Sequence, residues 1–219
     1  MGGGGDVEEA EAIAIAAALD GLCRLVLGFL LLGMLGARAW YERPYRAAGP
    51  RDAHFASRER RITRVMLASF LVPHLLWFFS SLLDGAALPI PGAVRLLVGG
   101  PLGALGLGLF VWVHRTLGIE WSPVLELRAG HRLITAGPYA HVRHPMYLAS
   151  YVMAAGFGLL AANAVPPLVQ LLATSLLVAV RVPDEDAMLR GRFGAAWEAW
   201  AARTGRVLPR WRRSARRAG

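Results

Sequence analysis

No lysine occurs anywhere in this chain, and cysteine occurs once. All 24 basic side chains are therefore arginine, set against 15 acidic ones, for a net charge of +9. The single cysteine, Cys23, excludes an internal disulfide and a cysteine-based zinc site, and no metal is expected. It reads as a small apolar filler. Basic charge suits nucleic acid only as a face on a soluble fold, and this composition is not that of a soluble domain. Of the 219 residues, 55% are hydrophobic, and mean hydropathy is +0.42. Those are membrane-protein values. The arginines fall in the polar gaps between apolar runs, where they suit anionic lipids rather than nucleic acid. No cleavable signal peptide is expected, because "MGGGGDVEEAEA" is acidic where such a signal is positive. Asp6 breaks the myristoylation pattern, and "ARRAG" carries no lipidation box. Arginine-only basicity with abundant alanine and glycine points to a GC-rich bacterial source, and so to an inner membrane.

Five apolar segments approach the ~20 residues that a spanning helix needs. They run from about Leu22 to Trp40, Val65 to Leu83, Ala93 to Val113, Pro145 to Ala162, and Val165 to Val182. The expected fold is all-α: a polytopic bundle of about five transmembrane helices with a C-terminal amphipathic helix. Residues 1–114 would form a three-span region, and residues 115–219 a core containing a two-helix hairpin turning at Asn163. Eight arginines lie between Arg38 and Arg64, four between His114 and His144, and ten from Arg181 onward, with none around Asp84 or Asn163. That alternation predicts an external N-terminus and a cytoplasmic C-terminus. Gly99 and Gly103, with Ala104 and Gly108 repeating their spacing, predict close helix packing. Pro73 should kink the second span. His74 beside it reads either as a satisfied interior histidine or as a pocket-lining one.

The stretch "HRLITAGPYAHVRHPMYLASYV", His131 to Val152, carries the most chemistry. Gly137-Pro138 reads as a turn, and Pro145 suits the first turn of a helix, whose exposed amides favour an anionic group. Tyr139 and Tyr147 offer faces for a cation or an adenine ring, and Arg143 and His144 suit a carboxylate. The alternative is an interfacial anchor with arginines at headgroups and tyrosines in an aromatic belt. In the tail, "FGAAWEAWAARTGRVLPRWRR" spaces Phe193, Trp197 and Trp200 as one helix face. That helix would lie at the interface or close over a pocket.

Taken whole, His131, Leu133, Ile134, Gly137, Tyr139, Arg143, His144, Pro145 and Tyr147 resemble the signature of the isoprenylcysteine carboxyl methyltransferase family, itself related to phospholipid N-methyltransferases. A second block agrees: Glu185-Asp186, Leu189, Phe193-Gly194, Trp197, Trp200 and "RTGRVLPR". The resemblance covers about Leu117 to Pro209. Asp186 replaces a second glutamate, tryptophans replace tyrosines, and Pro183 interrupts the helix entering the acidic pair. The resemblance implies an S-adenosylmethionine pocket lined by His131, Arg132, Leu133, Ile134, Gly137, Tyr139, His144, Pro145, Met146, Tyr147 and Glu185. Glu185 would accept hydrogen bonds from ribose hydroxyls or from the cofactor's amino group; otherwise it pairs with Arg181 or Arg190. Arg181, one helical turn before Glu185, would hold a substrate carboxylate or anchor to the membrane surface. Arg181 and His144 are thus the catalytic candidates. The implied substrate is a lipophilic acceptor entering from the bilayer, an isoprenylcysteine-type or other carboxylate, methylated on oxygen. The alternatives are a phospholipid amine or a thiol, for which His144 or Glu185 would take the proton, or an inactive membrane scaffold.

Overall fold

With no water to satisfy it, a chain this apolar must pair its backbone within helices. The computed structural model describes residues 3–48, 53–123, 125, 127 and 130–210. Helix α1 is Gly3–Ala48 and α2 is Ala53–Phe79. Helix α3 (92–117) runs through Gly92–Val94, a π-helical Arg95–Gly99 and Gly100–Leu117. Helix α4 is Pro145–Ala161, α5 is Val165–Phe193, and α6 is the short Ala195–Ala201. There is no sheet among the described residues, and the chain is an all-helical integral membrane protein. Four helical stretches are long and apolar enough to cross a bilayer: Val7–Pro44, Glu59–Phe79, Gly92–Glu120 and Val165–Phe193. The fifth expected span, α4, has 17 residues; at ~1.5 Å per residue it is about 25 Å long, the short end for a span. Of the arginine-rich stretch from Arg38 to Arg64, only residues 49–52 lie outside the described residues, as does the tail from residue 211; the rest extends α1 and α2.

Helices α3 and α4 touch through their backbones. A Cβ on Gly156 would lie 2.6 Å from Gly103 Cα, and one on Gly106 would lie 2.7 Å from Met153 N. A Cβ on Gly99 would meet Leu160 N at 3.0 Å. The predicted packing by Gly99 and Gly103 is therefore present, but the stripe continues at Gly106. Gly108 meets nothing within 4 Å and Ala104 is exposed. At 3.6 residues per turn, positions 99, 103 and 106 share a face that 104 and 108 do not. Around this seam Leu27, Leu30, Phe70, Trp77, Phe110, Phe157 and Leu160 form the main core, with Cys23 buried among them.

Several polar groups at membrane depth are paired. Arg95, inside α3, donates from Nε and Nη2 to Leu160 O (3.0 and 2.8 Å) and from Nη1 to Asp20 (2.8 Å). It thus satisfies a carbonyl left open at the end of α4. The hairpin turns where Ala162 takes φ +47°. There Asn163 Nδ2 donates to Leu83 O (2.7 Å), and Val165 N donates to Asn163 Oδ1 (3.0 Å). His74 is buried with Nδ1 on Phe70 O at 2.7 Å, an interior histidine off the cavity wall. Pro73 and Pro183 both lie inside helices that run past them.

Candidate active site

Pro145 starts α4 with no amide lost, and the 3-10 turn Gly137–Ala140 precedes it. Gly137 takes φ +57°, and a Cβ there would lie 2.9 Å from Thr116 Oγ1, so both the turn and its seat against α3 require glycine. The segment after α6 runs beside this loop: Arg143 N and His144 N donate to Gly205 O (2.8 Å) and Arg206 O (3.0 Å). Arg143 Nη1 donates to Ala201 O (3.0 Å) and Thr204 O (2.9 Å), placing a cation on the C-terminal carbonyls of α6. Arg143 therefore clamps the tail onto the loop.

The acidic pair divides its labour. His144 Nε2 lies 2.9 Å from Asp186 Oδ1, and Arg206 Nε lies 2.9 Å from Asp186 Oδ2. A carboxylate only accepts, so Nε2 carries the proton and the ring is fixed. Glu185 Oε2 stands 3.7 Å from His144 Nδ1 and faces the cavity. The replacement of a second glutamate by Asp186 thus coincides with a tight bond to His144, a role that the sequence reading passed over.

A cavity of about 270 Å³ opens between these elements. His131, Arg132, Leu133, Ile134, Tyr139, His144, Met146, Tyr147, Arg181 and Glu185 all line it; Gly137 and Pro145 do not. Gly137 instead seats against Thr116, and Pro145 is buried in the α4 start. His131 Nδ1 and Arg132 Nε are held by Glu120 at 3.0 and 3.3 Å. Burial, reinforced by Glu185 and Tyr147, raises the Tyr139 phenol well above its usual range and keeps it neutral.

Arg181 is mostly shielded, its side chain 13% exposed, and it lines the cavity. Its Nη atoms lie 3.3 Å from Pro123 O, and Nη1 lies 3.2 Å from Glu59 Oε2. Arg190 pairs with Glu198 at 2.9 Å. Neither arginine is the partner of Glu185. Glu59, 2% exposed on α2, carried no motif, and only the folded helices bring it to Arg181.

The tail helix packs against this site. Gly194, at φ +51°, ends α5, so Phe193 belongs to α5 while Trp197 and Trp200 belong to α6. Both tryptophans are buried with Val113 and Tyr139. Trp200 Nε1 donates to Tyr139 O at 2.8 Å, and its ring lines the cavity. Trp211, Arg212 and Arg213 lie outside the described residues.

The fold and this wall define an integral membrane protein with a cavity built where α4 begins and α5 ends. Residues 102–191 match the model of the isoprenylcysteine carboxyl methyltransferase (ICMT) family, a stretch that includes both His144 and Glu185. A curated protein-S-isoprenylcysteine O-methyltransferase of Schizosaccharomyces pombe is 33% identical over 79 residues, 36% of this chain and 34% of the relative. The cobalt-zinc-cadmium resistance protein CzcN of Cupriavidus metallidurans is 30% identical over 152 residues, 69% of this chain and 62% of the relative. The nickel-cobalt-cadmium resistance protein NccN of Alcaligenes xylosoxydans is 28% identical over 107 residues, 48% and 50% respectively. This chain thus spans between 34% and 62% of the length of these relatives. The solved structure of the eukaryotic intramembrane Ras methyltransferase ICMT, without a monobody, matches with a TM-score of 0.52. The match covers 90% of this chain and 76% of that one at 21% identity, a likeness of fold. Residues 102–191 are thus similar to the isoprenylcysteine carboxyl methyltransferase family, and the likeness of fold extends over most of the chain.

Proposed function

We propose that this chain is an S-adenosylmethionine-dependent methyltransferase of the bacterial inner membrane, which methylates the carboxylate of a lipophilic acceptor drawn from the bilayer. The observation that carries the reading is the shared cavity. His144 and Glu185 are forty-one positions apart, yet the α4–α5 hairpin returns both to one wall. The wall fits the cofactor in kind: a carboxylate for hydroxyl or amino donors, and tyrosine rings for an adenine or a sulfonium. Arg181 Nε is buried with no hydrogen-bond partner among the described residues, an open donor for an acidic acceptor.

When bound, S-adenosylmethionine supplies a methyl group already activated for in-line displacement. The residues then have three tasks. Glu185 accepts hydrogen bonds from the cofactor's polar groups, beside a His144 ring held by Asp186. Trp200 and Tyr139 exclude water from the site. Arg181 orients the acceptor carboxylate, which is ionised at neutral pH and needs no base. The test is methyl transfer from labelled cofactor to an apolar acid in membranes, read as methanol released by alkali. Base-labile label is expected; label that resists alkali would instead identify an amine or thiol acceptor.

The Glu59 pairing sharpens this. Arg181→Ala is expected to lower turnover by about a hundred-fold while leaving cofactor affinity within about two-fold, as for a group that holds only the acceptor. Glu59→Gln frees the guanidinium and is expected to lower KM for an acid acceptor. A rise in KM with Glu59→Gln would instead favour an amine acceptor held by Glu59.

The arginine distribution supports a cytoplasmic active site, on the side where the soluble cofactor is made. Reporter fusions after Asp84 and after the C-terminus are expected to report opposite sides. The same side for both would overturn the topology.

A further inference from the structure

The cavity has a deep end. On α5 its wall is formed by Gln170, Thr174, Leu177, Arg181 and Glu185, spacings of four, three, four and four that keep one helix face inward. Gln170 lies eleven residues before Arg181 in the sequence, about 16 Å along the helix axis. Three other helices agree on where the cavity stops. Its deepest wall residues are Phe70 on α2, Phe110 on α3 and Met153 on α4, all apolar. Gln170 is the exception at that depth. It is 5% exposed, and its Nε2 donates to Thr174 Oγ1 at 3.1 Å. The other amide atom, Oε1, has no hydrogen-bond partner among the described residues. Ser150, higher on the wall, is already bonded to Met146 O of its own helix at 3.1 Å. A glutamine inside a span, half bonded and facing a cavity, calls for a polar group on whatever fills that cavity.

We propose that the acceptor is a long-chain acid carrying a hydroxyl at its far end. The carboxylate sits at Arg181, the chain lies along Met34, Phe70, Phe110 and Met153, and the hydroxyl meets the Gln170 amide. A hydroxyl both donates and accepts, so it serves whichever end of the amide faces it. The span corresponds to roughly ten to fourteen carbons. This inference rests on the reading of Arg181 as the acceptor's carboxylate site. It departs from a purely hydrocarbon tail, which would leave the amide unpaired.

The probes are dodecanoic acid and its ω-hydroxy derivative, with binding measured by calorimetry on the full chain in nanodiscs without cofactor. Wild type is expected to bind the hydroxy acid about five-fold or more tighter, the worth of one buried hydrogen bond. Gln170→Leu is expected to erase or reverse that preference. Thr174→Val, which releases the amide from its anchor, is expected to shrink it. Equal binding of both acids by wild type, or an unchanged ratio in Gln170→Leu, would overturn the proposal. Labelled S-adenosylmethionine is titrated in parallel as a folding control. Cofactor binding without either acid binding sinks this inference and leaves the methyltransferase reading standing. Hydroxy-acid preference without cofactor binding does the reverse.

Discussion

Gly156→Ala is expected to destabilise the protein by about 3 kcal/mol or more, at the top of the range for overpacked cores. The added methyl group would overlap the backbone nitrogen of Gly103 and lie 2.6 Å from its Cα and 2.8 Å from Leu102 C. Backbone atoms cannot change rotamer, so α3 and α4 would have to separate along the whole seam. That seam also seats Gly99 against Leu160 and Gly106 against Met153, so its loss propagates to the floor of the cavity. Gly108→Ala is the matched control, since nothing lies within 4 Å of a Cβ there. It is expected to change stability by less than about 0.5 kcal/mol, or to raise it slightly through helix propensity. Unfolding in mixed detergent micelles, followed by helicity, compares the two. Equal midpoints would show that the seam is looser than the backbone contacts require.

His144→Ala and Glu185→Ala are each expected to weaken cofactor binding by about ten-fold or more, the scale of one or two charged hydrogen bonds. Their stabilities should separate. Among the described residues Glu185 is paired only with His144, at a loose 3.7 Å, and its removal should leave the unfolding midpoint almost unchanged. His144 is bonded to Asp186, which also holds Arg206. Its loss leaves a buried carboxylate short of a donor and should cost about 1–3 kcal/mol. Titration of labelled cofactor alongside thermal unfolding reads both effects. Unchanged cofactor affinity in both variants would return the loop to an interfacial anchor.

Much of this architecture was legible in the sequence because the bilayer leaves few options. Apolar length located the helices, and Asn163 marked a hairpin whose consequence, His144 beside Glu185, follows from geometry alone. The motif positions that reach the cavity do so because they sit where the 131–147 segment and α5 face each other. What was not legible depends on contacts between distant helices. Glu59 lies in an arginine-rich stretch with no pattern around it, and only the packing of α2 against α5 brings it to Arg181. Gln170 looked like one polar residue in a span until the cavity was seen to end on it. Gly106 was missed because the four-residue spacing favoured 104 and 108, whereas the helix period selects 99, 103 and 106; Gly156 was missed because its role depends on meeting Gly103 across two helices. Gly137 is a turn glycine, as its Gly-Pro pair suggested, but its open side meets Thr116, a contact between distant segments that the sequence could not show.

The central claim is that two motif blocks, joined by the hairpin, form one S-adenosylmethionine pocket. Equilibrium binding of labelled S-adenosylmethionine to the detergent-purified wild-type chain tests it most directly. Saturable binding at a single site, displaced by unlabelled cofactor, is the predicted result. No saturable binding to a protein that remains folded and monodisperse would contradict it.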